Sequence, residues 1–212
     1  MTATVLAAVV GAFLVGIFAE VSGNLTWGAF VSEAGGPWFV LAYAIGAWSS
    51  AGRLPVVLTG AGALVLALAV NVVFREAVNG PEATDQFLRY LAPLWFPFAA
   101  AVGAVFAGAG VAVRSRSRIW AACGGGLLIA ALILDSVVSW ERSGQDGLAV
   151  AALDLVLLAL ACGHLARRVD LRWLLVAVAG WLVVGATVGI LTYDWVLGGV
   201  DQGPDDVTIH DD

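Results

Sequence analysis

The chain has 212 residues, 61% of them hydrophobic and 12% charged, with a mean hydropathy of +0.94 and a net charge of −6 at pH 7. A soluble domain carries about 25% charged residues, so a water-soluble globular core is excluded. The acidic balance, with ten basic residues that are all Arg, also argues against nucleic acid as a partner.

Apolar runs of about 20 residues, enough to cross about 30 Å of hydrocarbon, follow one another along the chain. The first spans Ala3 to Ser22. It has no basic n-region before it and is long for a signal-peptide core, so it reads as a retained helix. Ala12, Gly16 and Glu20 recur every fourth residue and share one face, which should pack inward because small residues let membrane helices approach, unless Glu20 is a water-exposed acid at the interface. Asn24 to Gly36 carries Trp27, Phe30 and Val31 at helical spacing and reads either as a short interfacial, lid-like helix or as a loop anchored by Trp27.

Gly35-Gly-Pro37 opens a short second helix that ends near Ala51, and Pro55 stands in the first turn of a third that runs to Phe74. On the third, Gly60, Ala63, Ala67 and Asn71 repeat the arrangement of small residues leading to a polar one. Arg75 to Ala92 reads as a polar loop. The fourth helix, Pro93 to Val113, carries Ala100, Ala104, Gly108 and Ala112 in a continuous groove where a helix, from this chain or from a membrane partner, should dock. Ile119 to Trp140, Gly147 to Ala166 and Trp173 to Leu197 complete the set. Residues 198–212 form an acidic tail rich in Gly and Asp, of disordered composition. The expected fold is therefore an all-α transmembrane helix bundle of seven spans in one domain over residues 1–197. Six spans follow if the second helix is re-entrant.

Arg53, Arg114, Arg116, Arg118, Arg167, Arg168 and Arg172 fall in alternate turns, whereas only Arg75, Arg89 and Arg142 fall in the others. The positive-inside rule then places the N-terminus in the cytoplasm and the acidic tail outside a plasma membrane.

Intramembrane polar residues collect toward the other side. Asp135 is roughly 7–8 Å and Asp154 roughly 10 Å from the ends of their helices, at 1.5 Å per residue. Glu20, Asn71 and Asp194 lie in the corresponding parts of theirs. A carboxylate at mid-bilayer costs roughly 2.5–3.5 kcal/mol, and no Lys or Arg lies at the same depth. The acids must face water, share a proton or await a cation, or they hydrogen-bond to each other as a neutral structural pair across the helical hairpin. Trp95 lies near the same interface and Trp181 deeper, so an acidic and aromatic ligand pocket would draw on Glu20, Asn71, Asp135, Asp154, Asp194, Trp95 and Trp181. An aromatic wall beside acids is one way to hold an organic cation.

Cys123 and Cys162 fit no zinc or CxxC spacing and read as small buried hydrophobes. No Walker, HExxH, GxSxG or GxGxxG motif is present, so no metal or cofactor is expected.

The run from Pro37 to Ala47, Trp95, the segment Gly103 to Gly110 before a basic turn, and Asp135 late in the fifth helix together resemble a family of small polytopic bacterial membrane proteins. The resemblance covers most of the chain and implies a compact helical bundle without an assigned activity. The outer polar pocket beneath a lid-like loop is also similar in architecture to substrate-binding components of vitamin transporters. Three functions stay open. The first is binding or transport of a small cationic or proton-coupled solute. The second is intramembrane acid catalysis by Asp135 or Asp154 on a lipid or isoprenoid. The third is a structural or partner-binding bundle that uses the groove on the fourth helix.

Overall fold

A computed structural model of the chain describes residues 2–23, 35–80, 88–89, 92–143 and 148–197, with the side chains of 2, 22, 23, 79, 141–143 and 189–197 outside the description. The interfacial segment around Trp27, residues 81–87 and the acidic tail lie outside the described residues.

The described elements are helices: α1 (Thr2–Gly23), α2 (Gly36–Trp48), α3 (Arg53–Asn79), α4 (Ala92–Val113), α5 (Arg118–Ser143), α6 (Leu148–Leu165) and α7 (Leu171–Leu197). All except α2 are long and apolar enough to cross a membrane. The chain is a polytopic helical bundle. Hydrophobicity located these helices to within a few residues, with one extension. Helix α3 continues past Phe74 to Asn79, so Arg75 is helical instead of opening a loop. The helix stops at Gly80, whose φ of 85° is a conformation that glycine adopts at little steric cost.

Helix α2 has 13 residues, which at about 1.5 Å each cover about 20 Å and fall short of the hydrocarbon thickness. It is nevertheless the most enclosed element, packed against α1, α3, α4, α5 and α6. Helices α6 and α7 both lean on α5 and bury little of their own surface.

Backbones meet where glycines face one another. A Cβ at Gly46 would strike the backbone of Ala107 and Gly110, and one at Gly110 would strike the backbone of Tyr43, Gly46 and Ala47. Gly60 and Gly103 make the same reciprocal contact between α3 and α4. The buried face of α4 is thus Ala99, Gly103, Phe106, Ala107 and Gly110. The groove expected to receive a helix does so at one end, where a Cβ at Gly124 of α5 would lie 3.0 Å from Ala112 Cβ, but it is open in its middle. Its member Gly108 is so open that an added Cβ would find only Val57 Cγ2, at 4.0 Å. Both stripes on α4 are lined by small residues, but only the first has glycines opposite it on α2 and α3, and the closest approach decides the packing.

Because the helices alternate in direction, Arg53, Arg114, Arg116, Arg118, Arg167, Arg168 and Arg172 gather at one end of the bundle. Glu20, Asn71, Arg75, Asp135 and Asp154 lie toward the opposite end.

Candidate functional site

Two polar clusters form at the carboxylate end. The first joins α1 to α3. Glu20 is 5% exposed, and its Oε2 lies 3.4 Å from Arg75 Nε and 3.5 Å from Asn71 Nδ2. Asn71 Nδ2 also donates to the Gly16 carbonyl at 3.4 Å. The small-residue faces noted on these two helices pack against each other, since Ala12, Ala63 and Ala67 are buried and a Cβ at Gly16 would strike the Ala67 carbonyl. With a guanidinium beside it, Glu20 is a charge-paired buried acid, which fits a clamp between two helices.

The second cluster lies where α2 begins. Asp135 is eight residues before the end of α5 and Asp154 six residues after the start of α6, so helix α2 starts about 9–12 Å below the ends of its neighbours. The first N–H groups of a helix have no partner within it, and in a membrane interior the protein must supply one. Asp135 does so: its Oδ2 accepts a hydrogen bond of 2.9 Å from the Gly36 N–H, a partner 99 residues away in sequence. Pro37 follows in the first turn, where its missing N–H removes one orphan donor.

Asp154 is 1% exposed. Its Oδ2 accepts from Ser136 Oγ at 3.1 Å, and the same hydroxyl is 2.9 Å from the Leu132 carbonyl. Its Oδ1 faces Gly36 at the position a Cβ would take, with Leu132 and Leu157 around it. Both carboxyls therefore converge on Gly36, Asp135 accepting from its N–H and Asp154 facing its Cα. Two ionised carboxylates hold no donor between them, so a hydrogen bond from one acid to the other would require a proton. Among the described residues Asp154 Oδ1 has no hydrogen-bond partner, and no ion pair reaches either acid.

Chain packing explains why glycine is needed here. A Cβ at Gly35 would come within 3.2 Å of Asp135 Oδ1 and 2.7 Å of Phe39, whose ring stacks on Phe106 at 4.6 Å. Only an entry without side chains lets α2 settle onto both acids. Gly35, Gly36 and Ser136 are the site residues that sequence reasoning did not single out. The Gly-Gly-Pro start of an unusually short helix and the Ser beside Asp135 were the available signals.

The other expected members stand apart. Trp95 is half-exposed on α4, edge-on to Phe98 at 5.7 Å. Trp181 donates its Nε1 hydrogen to the Cys123 carbonyl at 3.0 Å and fastens α7 to α5. The Asp194 side chain lies outside the described residues.

Buried polar atoms without a partner share one further property. Among the described residues they are Tyr43 Oη, Asp154 Oδ1 and His164 Nε2, and each belongs to α2 or α6. His164 also sits edge-on to Trp48, at 5.9 Å, where α2 ends. Asp154 Oδ1 at the start of α2 and His164 Nε2 near its end thus leave unpartnered polar atoms at both ends of the contact between α2 and α6.

Fold and site together define a polytopic membrane bundle that carries an acid pair under the start of a short, enclosed helix. No protein-family model, curated protein or solved structure matches the chain.

Proposed function

We propose that the protein is a proton-coupled binding or transport-type membrane protein in which Asp135 and Asp154 hold one proton against the N-terminus of α2. The observation that carries this reading is the convergence of both carboxyls on Gly36, with Asp154 Oδ1 otherwise unpartnered. A singly protonated pair has one negative charge, which the positive end of the α2 dipole stabilises. Losing the proton sets two like charges side by side among Leu132, Leu157 and Phe39, where repulsion is weakly screened. The relief available is separation of α6 from α2 along their under-satisfied seam. Proton binding is in this way coupled to the position of α2, and through α2 to five other helices.

The aromatic half of the cation-pocket expectation gains no support from Trp95 and Trp181, which stand away from the pair, so the proton-linked reading is preferred. The test combines infrared titration of the carboxyl bands with amide exchange of α2 in detergent. Wild type should show a protonated carboxyl at neutral pH that Asp135→Asn with Asp154→Asn removes, and the protection of α2 amides relative to their intrinsic exchange rate should fall in wild type, but not in the double variant, as that band disappears at high pH. Two ionised acids at neutral pH, or exchange in α2 that ignores the titration, would reduce Asp135 to a structural helix cap.

Orientation completes the proposal: the arginine end faces the cytoplasm of a plasma membrane and the acid pair lies in the outer half of the bilayer. With Cys123 and Cys162 replaced, Glu76→Cys should react with an impermeant thiol reagent in intact cells and Ser117→Cys should not. The reverse labelling pattern would invert the topology.

A further inference from the structure

At the arginine end a cleft of about 550 Å³ opens between the start of α3, the end of α4 and the start of α5. Its size falls within the range of about 300–1,000 Å³ typical of small-ligand sites. Arg53, Arg114, Ser115 and Trp120 surround it, and Val57, Gly108, Val111 and Ala112 complete its lining. The polar members sit at the helix ends, while Gly108 is five residues inside α4, or about 7 Å deeper. The cleft thus passes from basic to apolar with depth. Among the described residues neither Arg53 nor Arg114 is engaged in an ion pair. Trp120 is 65% exposed and stands in the first turn of α5, a position suited to an aromatic residue among headgroups.

We infer that this cleft is a binding site for an anionic phospholipid of the leaflet at the arginine end. Its phosphate would be held by Arg53 and Arg114, and its glycerol and first methylenes would lie on Val57, Gly108 and Val111. Both halves of the lining select that occupant. A free inorganic phosphate would satisfy the arginines but leave the apolar wall in water. An apolar helix in the groove would cover Val57, Gly108 and Val111 but bury two guanidinium groups without a counter-ion, which is costly. A lipid with a charged headgroup satisfies both, and basic pockets between spanning helices are suited to such headgroups. The open space at Gly108, which makes it a poor helix contact, is what admits the glycerol backbone.

The test is native mass spectrometry of the full chain, released from non-ionic detergent, after titration with phosphatidylglycerol or with phosphatidylcholine of the same acyl chains. Wild type should retain phosphatidylglycerol in preference to phosphatidylcholine. The double variant Arg53→Gln with Arg114→Gln should lose that preference by roughly tenfold, at unchanged thermal stability. Gly108→Leu should block the cleft and reduce retention of phosphatidylglycerol. Should Gly108→Leu not fold, Val57→Phe fills the same space. Equal retention of the two lipids by wild type, or undiminished phosphatidylglycerol on the charge variant, overturns the inference. Displacement of the lipid by millimolar inorganic phosphate would assign the arginines to a soluble anion instead. A wild-type dimer that Gly108→Leu dissociates would assign the cleft to a second copy of the chain.

Discussion

Gly110→Leu is expected to abolish or severely weaken the folded bundle, while Gly108→Leu, two residues earlier on the same helix, leaves its thermal stability close to wild type. Gly110 lies against the backbone of Tyr43, Gly46 and Ala47, so a larger side chain meets groups that cannot rotate away. Overpacking in a core commonly costs about 1–3 kcal/mol, occasionally more, and at a backbone contact the cost should be at or above the upper end of that range. Gly46→Leu should behave like Gly110→Leu, because the two glycines form the two sides of one crossing. Gly163→Leu is the matched control, since a Cβ there finds nothing within 4 Å. Thermal unfolding in one detergent reads all four variants. Equal melting of Gly110→Leu and Gly163→Leu would mean that α2 and α4 do not cross at these residues.

The same comparison shows how far a sequence of this kind can be read. Helix positions were legible because nothing but a continuous apolar run crosses hydrocarbon, and a run records its own length. The faces that pack between α1 and α3 were legible though their pairing was not: Ala12, Gly16 and Glu20, like Gly60, Ala63, Ala67 and Asn71, join a smooth face to a polar end. A buried Glu20 needed a donor, and Asn71 was in register to supply one. Arg75, its charged partner, was hidden because the apolar run ends one residue earlier, at Phe74.

Helix α4 marks the limit. Its composition offers two small-residue stripes separated by a fraction of a turn, and hydrophobicity ranks them equally. The choice falls to Gly46 and Gly60, which lie 57 and 43 residues from Gly103 in the chain and pair with α4 only in three dimensions. Depth along a hairpin likewise brought Asp135 and Asp154 together on paper. What it could not show was that α2 begins inside the bundle and brings the Gly36 N–H to Asp135. Trp181 is a similar case: a deep indole reads as an open question in sequence, and its donor finds the Cys123 carbonyl once α7 lies on α5.

The acid pair gives the second large effect, and a double-mutant cycle isolates it. Gly36→Ala places a methyl group against Asp154 Oδ1, with Leu132 Cδ2 and Leu157 Cδ1 both 3.2 Å away, and should destabilise the bundle by about 1–3 kcal/mol. Asp154→Ala removes the obstructing carboxyl. Ser136 keeps its bond to the Leu132 carbonyl, so few groups are orphaned. In the double variant the new methyl enters the space the carboxyl has left, and the combined loss should be smaller than the sum by about 0.5–3 kcal/mol, the range for residues in contact. Losses that add to within about 0.5 kcal/mol would show that Gly36 and Asp154 do not touch. A second comparison separates capping from charge. In Asp135→Asn the side-chain carbonyl still accepts from the Gly36 N–H and the amide can donate to Asp154, so stability should stay near wild type while the shared proton is lost. Asp135→Leu leaves that N–H without an acceptor in an apolar interior, at a cost of about 1–3 kcal/mol. If Asp135→Leu melts with Asp135→Asn, the start of α2 does not depend on Asp135, and the acid pair cannot act on the bundle through that helix.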